Sequence, residues 1–137
     1  MAKKRVLLVD NEQDITWILC NVLQEGGFDV TSFNDPLLVL KHFKPHYYDL
    51  VILDINMPEM NGFELYRELR RRDKRIKVCF LTAVSELAEY EQYREEASPK
   101  LGERHFVAKP VSNDELIRRI NEMLANNLEN DKANLQR

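Results

Sequence analysis

Leu50-Val51-Ile52-Leu53-Asp54 decides the fold. Four successive aliphatic residues show no polar alternation, so the strand they predict has apolar material on both faces. A turn-rich stretch follows, Asn56-Met57-Pro58-Glu59-Met60-Asn61-Gly62. Phe63, Leu65, Tyr66 and Leu69 then recur at helical spacing. The same unit repeats in both directions. Upstream, Val6-Leu7-Leu8-Val9 ends at Asp10 and leads into Ile15, Ile18, Leu19, Val22 and Leu23, stopped by Gly26-Gly27. Val30 to Phe33 is the second strand. Asn34-Asp35-Pro36 starts a helix with proline in its first turn, and Leu37, Leu38, Leu40 and Phe43 form its apolar face. Downstream, Ile76 to Leu81 is strand four, and Ser85 caps a mostly charged helix four over roughly 86–97. Phe106-Val107-Ala108 is strand five. Ser112-Asn113-Asp114-Glu115 opens helix five, with Leu116, Ile117, Ile120 and Leu124 inside.

Apolar strands alternating with helices predict an α/β fold: a parallel sheet with helices on both faces. Right-handed crossovers bring all strand C-termini to one edge, where such sheets carry their sites. The polar residues at those ends are Asp10-Asn11-Glu12, Asp54, Thr82 and Lys109-Pro110. Three acids would converge with a hydroxyl and an ammonium. Clustered carboxylates resist joint ionisation unless a cation neutralises them. Hard oxygen donors in small number suit Mg²⁺, which keeps waters and shares its shell with a phosphoryl group. Asp54 is then the nucleophile, forming an aspartyl-phosphate. Thr82 donates to a phosphoryl oxygen and Lys109 supplies a point charge.

Composition bounds the alternatives. The chain has 137 residues, 44% of them apolar and 31% charged, which suits one domain with a real core. Twenty Lys and Arg against 23 Asp and Glu leave a net charge of −3, so no whole-protein nucleic-acid footprint is indicated. No run of about 18 apolar residues occurs, and the apolar run after Arg5 is too short for a signal peptide; a cytoplasmic protein is expected. Cys20 and Cys79 read as packed, reduced thiols, and Trp17 and Cys20 are expected to pack on or near the first helix. His42, His46 and His105 lack ligand spacing. Arg70 to Lys77 holds six basic residues in eight, read as a solvated helix C-terminus in preference to a contact with nucleic acid or an acidic partner.

Taken in order, Val9-Asp10, Leu53-Asp54-Ile55-Asn56-Met57-Pro58 with Asn61-Gly62, Leu81-Thr82-Ala83 and Lys109-Pro110 resemble the receiver domains of two-component response regulators, of the single-domain CheY-like kind. The resemblance runs from about Lys4 to Asn126. It implies a flavodoxin/CheY-like doubly wound sheet of order 2-1-3-4-5, with the domain over 1–127 and residues 128–137 as a polar tail or the start of a linker. It implies that Asp54 takes phosphate from a sensor histidine kinase. Asp10 and the Asn56 carbonyl would help hold Mg²⁺, and Thr82 and Lys109 the phosphoryl oxygens, with a cis Lys109-Pro110 bond. By the same analogy Thr82 moves toward the phosphate and Phe106 swings inward, shifting the face of helix four, strand five and helix five toward a downstream protein target. The protein is then a phospho-accepting switch that assists its own phosphotransfer and dephosphorylation rather than an enzyme. A homodimer is left open.

Two departures stand out. Asn11 occupies the family's second acidic position, where it brings an amide oxygen without charge. Thr82 to Lys109 spans 109 − 82 = 27 positions, several more than usual, with the excess near Glu95 to Arg104. Two rivals follow. One is a pseudo-receiver that binds a partner without phosphorylation, made plausible by Asn11. The other is a phosphatase resembling haloacid dehalogenases, whose paired-aspartate signature Asp54-Ile55-Asn56 superficially echoes.

Overall fold

Strands that are apolar on both faces need cover on both faces, and the fold supplies it. The computed structural model describes residues 2–83, 105–109 and 111–135. In chain order the elements are β1 (Arg5–Val9), α1 (Gln13–Glu25), β2 (Asp29–Phe33), α2 (Pro36–His42), β3 (Leu50–Asp54), α3 (Gly62–Arg72), β4 (Val78–Ala83), β5 (Phe106–Lys109) and a C-terminal helix (Asn113–Leu135). The five strands form one sheet of order β2-β1-β3-β4-β5, every pair parallel, as expected.

Val6 to Val9 and Leu50 to Leu53 are shut off from solvent. Alternate residues of these strands serve opposite layers. Val6, Leu8, Leu50 and Ile52 pack with Leu23 of α1 and with Leu116 and Ile120 of the C-terminal helix. Leu7, Val9, Val51 and Leu53 pack with Val39 of α2 and with Phe63, Leu65 and Leu69 of α3. Each such aliphatic side chain contributes roughly 1.5–3 kcal/mol.

Local chemistry sets the helix ends. Asp35 caps α2 by accepting from the Leu37 N–H at 2.9 Å, with Pro36 behind it. Asn61 and Glu64 form a reciprocal capping box at the start of α3, at 2.9 and 3.2 Å, inside the stretch read from sequence only as a turn. Gly27 ends α1 at φ +93°, a left-handed conformation that favours glycine. Ser112 accepts from the Glu115 N–H at 3.2 Å. In the turn that precedes α3 the Met60 N–H donates to the Pro58 carbonyl at 2.7 Å around Glu59, whose φ is +70°.

Several expectations need correction. The sequence ended β4 before Thr82; the strand runs through it to Ala83, and β5 includes Lys109. Leu37 and Leu38 are 48% and 46% exposed, and α2 buries Pro36 and Val39 instead. A helix of seven residues turns too few times for periodicity to define its inner face. Trp17 and Ile18 of α1 are 71% and 50% exposed, so apolarity alone misplaced them. The C-terminal helix continues through 128–135. Residues 84–104 and Pro110 lie outside the described residues, and with them Ser85, helix four, the excess length near Glu95 to Arg104 and the Lys109-Pro110 bond.

Gly62 joins fold to site. A Cβ there would stand 2.6 Å from the Asp54 carbonyl oxygen and 3.0 Å from the Ile55 Cα, both backbone atoms that cannot step aside. Its N–H donates to the Ile55 carbonyl at 2.9 Å. Gly62→Ala is expected to destabilise the fold by about 1–3 kcal/mol, as overpacking does. A melting temperature within a degree of the parent would contradict this.

Candidate functional site

Parallel pairing lines up the C-terminal ends of β1, β3, β4 and β5, and Asp10, Asp54 and Lys109 come together there. Lys109 Nζ lies 3.1 Å from Asp10 Oδ2 and 3.6 Å from Asp54 Oδ1. Asp10 is fully buried and Asp54 is 6% exposed. By strand alternation Asp10, Asp54 and Lys109 share the sheet face of Leu8, Ile52 and Val107. The Asn56 backbone N–H donates to the Asp54 carboxylate.

Thr82 is buried, one residue beyond Leu81, the register partner of Asp54. It shares strand parity with Phe80, which pairs with Phe106. The Phe106 ring stacks on Phe80 at 5.3 Å and lies 6.1 Å from Phe63, so the aromatic packs inward against the α3 layer.

Glu12 makes no side-chain bond within the cluster, although its charge still acts on Lys109. It is exposed and occupies the N-cap position of α1. The carboxylates bonded to Lys109 therefore number two, because two residues past Asp10 the chain has already reached the cap of the helix. Among the described residues no three of His, Cys, Asp and Glu gather at one point. Asn11 supplies another oxygen: its Oδ1 is buried and accepts no hydrogen bond. An orphaned buried acceptor is unfavourable unless a cation or donor completes it. Two carboxylates and an unpartnered amide oxygen form a hard donor set that fits Mg²⁺.

Sequence reading missed the scaffold beneath Asp10. Asn34 Nδ2 donates to the Asp10 carbonyl at 2.7 Å and to Thr16 Oγ1 at 2.8 Å. The Thr16 hydroxyl lies 3.2 Å from the Asp10 carbonyl and 3.0 Å from that of Glu12. The Glu12 N–H donates back to Asp10 Oδ1 at 3.0 Å. Together these bonds fix the loop between β1 and α1. Thr16, a buried polar residue inside an otherwise apolar helical pattern, was the available signal.

Burial, reinforced by the Asp10 carboxylate, pushes Asp54 up to about 6 from an ordinary 3.8, while Lys109 and the Asn56 N–H pull the other way. For Lys109 burial acts downward, but the carboxylates of Asp54 and Asp10 outweigh it, so its ammonium form is held above the usual range. Cys79, fully buried, is pushed up to about 12 by burial and is a packed, inert thiol.

The sequence model of the response regulator receiver domain matches residues 6–121. The chain is 36% identical over 124 residues to the transcriptional regulatory protein CreB of Escherichia coli, covering 90% of this chain and 52% of that one. It thus spans about half the length of that relative. The response regulator TrrA of Thermotoga maritima, solved in complex with Mg²⁺-BeF, is 32% identical with a TM-score of 0.71, covering 88% of this chain and 98% of the other. A CheY-like receiver domain protein of Methanospirillum hungatei shares the fold at a TM-score of 0.77 and 23% identity, covering 94% and 99%.

Proposed function

The chain belongs to the response regulator receiver family of two-component systems, and from that premise we propose that Asp54 accepts a phosphoryl group from a sensor histidine kinase, with Mg²⁺ held beside it. The family is one of signalling switches that take phosphate from sensor kinases and act on downstream targets, not of enzymes in the usual sense. The observation that carries the reading is the ammonium of Lys109 set between two buried carboxylates at the sheet edge.

Asp10, Asp54, the Asn11 amide oxygen and the Asn56 carbonyl would hold the cation, which when bound neutralises charge around the transferring group. The chain's own groups do the rest. Asp54 presents its carboxylate oxygen as the acceptor. The Asn56 N–H orients that carboxylate, Lys109 moves its charge from carboxylate to phosphoryl oxygen, and Thr82 donates its hydroxyl to another. Thr82 and Phe106, which share a strand parity, form the element that couples the phosphate to the β5 face and so to a protein target. We place the receiver unit at residues 1–127, with 128–137 as a polar tail or the start of a linker.

Exposing the protein to acetyl phosphate and Mg²⁺ and weighing it intact tests the assignment. One added phosphoryl group is expected. Absence of the adduct with this donor and with a cognate kinase would favour the pseudo-receiver. The haloacid-dehalogenase analogy places its aspartate at the end of a first strand, whereas Asp54 ends β3. Restoring charge at Asn11 probes the metal: Asn11→Asp should tighten Mg²⁺ at least about tenfold, since even outer-shell changes move metal affinity by ~10–100-fold. Calorimetric titration showing equal affinity would refute that role.

A further inference from the structure

The basic run Arg70 to Lys77 is not absorbed by the phosphorylation site, and the fold gives it company. Parallel topology brings strand N-termini and helix C-termini to the sheet edge opposite Asp54. There Arg72 Nη1 donates to the Leu40 carbonyl at 2.5 Å, which sets it beside Lys41. Asp73 accepts from the His46 N–H at 2.9 Å and the Arg75 N–H at 3.1 Å, tying the exit of α3 to the loop that carries Lys44. The Arg5 guanidinium carbon lies 4.2 Å, and Lys44 Nζ 5.1 Å, from the centre of the Tyr47 ring. Arg5, Lys41, Lys44, Arg72, Lys74 and Arg75 are all exposed. Among the described residues none of the six forms an ion pair. Of the acids at this edge, Asp49 accepts from the Arg5 N–H at 2.8 Å, Asp73 is buried, accepts the backbone donors above and lies 3.4 Å from His46 Nδ1, and Asp29, the register partner of Arg5, is exposed, so the six cations outnumber them.

Helix dipoles do not account for this concentration. α1 ends at the same edge with no basic residue in its last turn, and Arg5, Lys44, Lys74 and Arg75 lie outside helices. Among the described residues, the exposed large hydrophobic residues, Trp17, Ile18, Leu37 and Leu38, sit near the starts of α1 and α2, toward the other edge, and the one aromatic ring among the six cations, Tyr47, is covered by Arg5 and Lys44. A protein partner would use buried aromatic anchors and a peripheral membrane contact would insert apolar side chains. A phosphate backbone needs only cations, and guanidinium forks match it. The net charge of −3 does not oppose this locally. Five-residue strands separate the two edges by about 16 Å, twice the ~8 Å screening length at physiological salt.

We infer that the sheet edge opposite Asp54, through these six cations, binds the phosphate backbone of duplex nucleic acid without reading its sequence. The full chain is titrated into a short fluorescent DNA duplex of arbitrary sequence at increasing salt, following anisotropy. The expected plot of log affinity against log salt falls with a slope approaching about −5 for six contacts. The triple variant Lys44→Glu, Lys74→Glu, Arg75→Glu should bind roughly tenfold or more weakly and lose about 3 from that slope. Its acetyl phosphate labelling should be unchanged, which shows that it is folded and separates this surface from the phosphorylation site. No duplex binding at low salt, equal binding by the triple variant, or tighter binding to phosphatidylserine vesicles or polyglutamate than to the duplex overturns the inference.

Discussion

Asp54→Asn is expected to take no phosphoryl group from acetyl phosphate and, in EDTA at neutral pH, to melt above the parent protein. Loss of the adduct follows from removing the nucleophilic carboxylate. The gain in stability follows from the site's electrostatics. In the folded chain Asp54 sits at about 6 against an ordinary 3.8. The native state therefore holds its proton more tightly than the unfolded chain, and stability falls as pH rises between those values. Above that window the ionised carboxylate costs about 2–3 kcal/mol. An amide of the same shape removes the penalty, so the melting temperature should rise by roughly 5–10 °C at neutral pH. The difference should vanish below pH ~4, where the parent carboxyl is neutral too. Mg²⁺ should also shrink it by stabilising the parent alone. Equal melting temperatures across the whole pH range, or a persisting adduct, would remove Asp54 from its assigned role.

Lys109→Met has the opposite sign and a larger structural effect. Methionine keeps the apolar stem but leaves Asp10 and Asp54 without the ammonium that lies within 3.1 and 3.6 Å of them. Removing one partner of a buried ion pair typically destabilises by 3–5 kcal/mol; with the Lys109 side chain 27% exposed, about 3 kcal/mol is expected. The deficit should grow as pH rises above 6, because Asp54 of the parent ionises there beside Lys109, whereas in the variant it must keep its proton or ionise beside Asp10 with no compensating charge. Millimolar Mg²⁺ should recover much of it by binding the folded state. Phosphotransfer from acetyl phosphate should nonetheless remain roughly 100-fold slow, the usual loss when a preorganised electrostatic group is removed. Chemical denaturation with and without Mg²⁺ separates the two effects. A variant as stable as the parent at pH 8 in EDTA would show that the carboxylates do not depend on Lys109.

Much of this site was legible in the linear chain because its determinants are local. Uninterrupted aliphatic runs at Val6–Val9 and Leu50–Leu53 require a sheet covered on both sides, and a parallel sheet gathers its strand ends. Asp10, Asp54, Thr82 and Lys109 could thus be placed on one edge from strand position alone. Positions whose fate depends on a neighbouring segment were not readable. Asn34 looked like part of a helix start, yet its amide crosses to the Asp10 carbonyl. Leu37 and Leu38 are as apolar as Val39, but Val39 faces the core and they do not.

Composition and periodicity, then, determined the strand-helix rhythm, the burial of the central strands and the identity of the residues at their ends, since each is a property of a few consecutive side chains. Only the tertiary structure decided that Glu12 makes no side-chain bond within the carboxylate cluster, that Asn11 buries an unsatisfied oxygen, and that Arg5, Lys44 and Arg75 share one edge. Those outcomes turn on distances between segments far apart in the chain, and through-space charge, burial and hydrogen bonding are set by those distances rather than by sequence order.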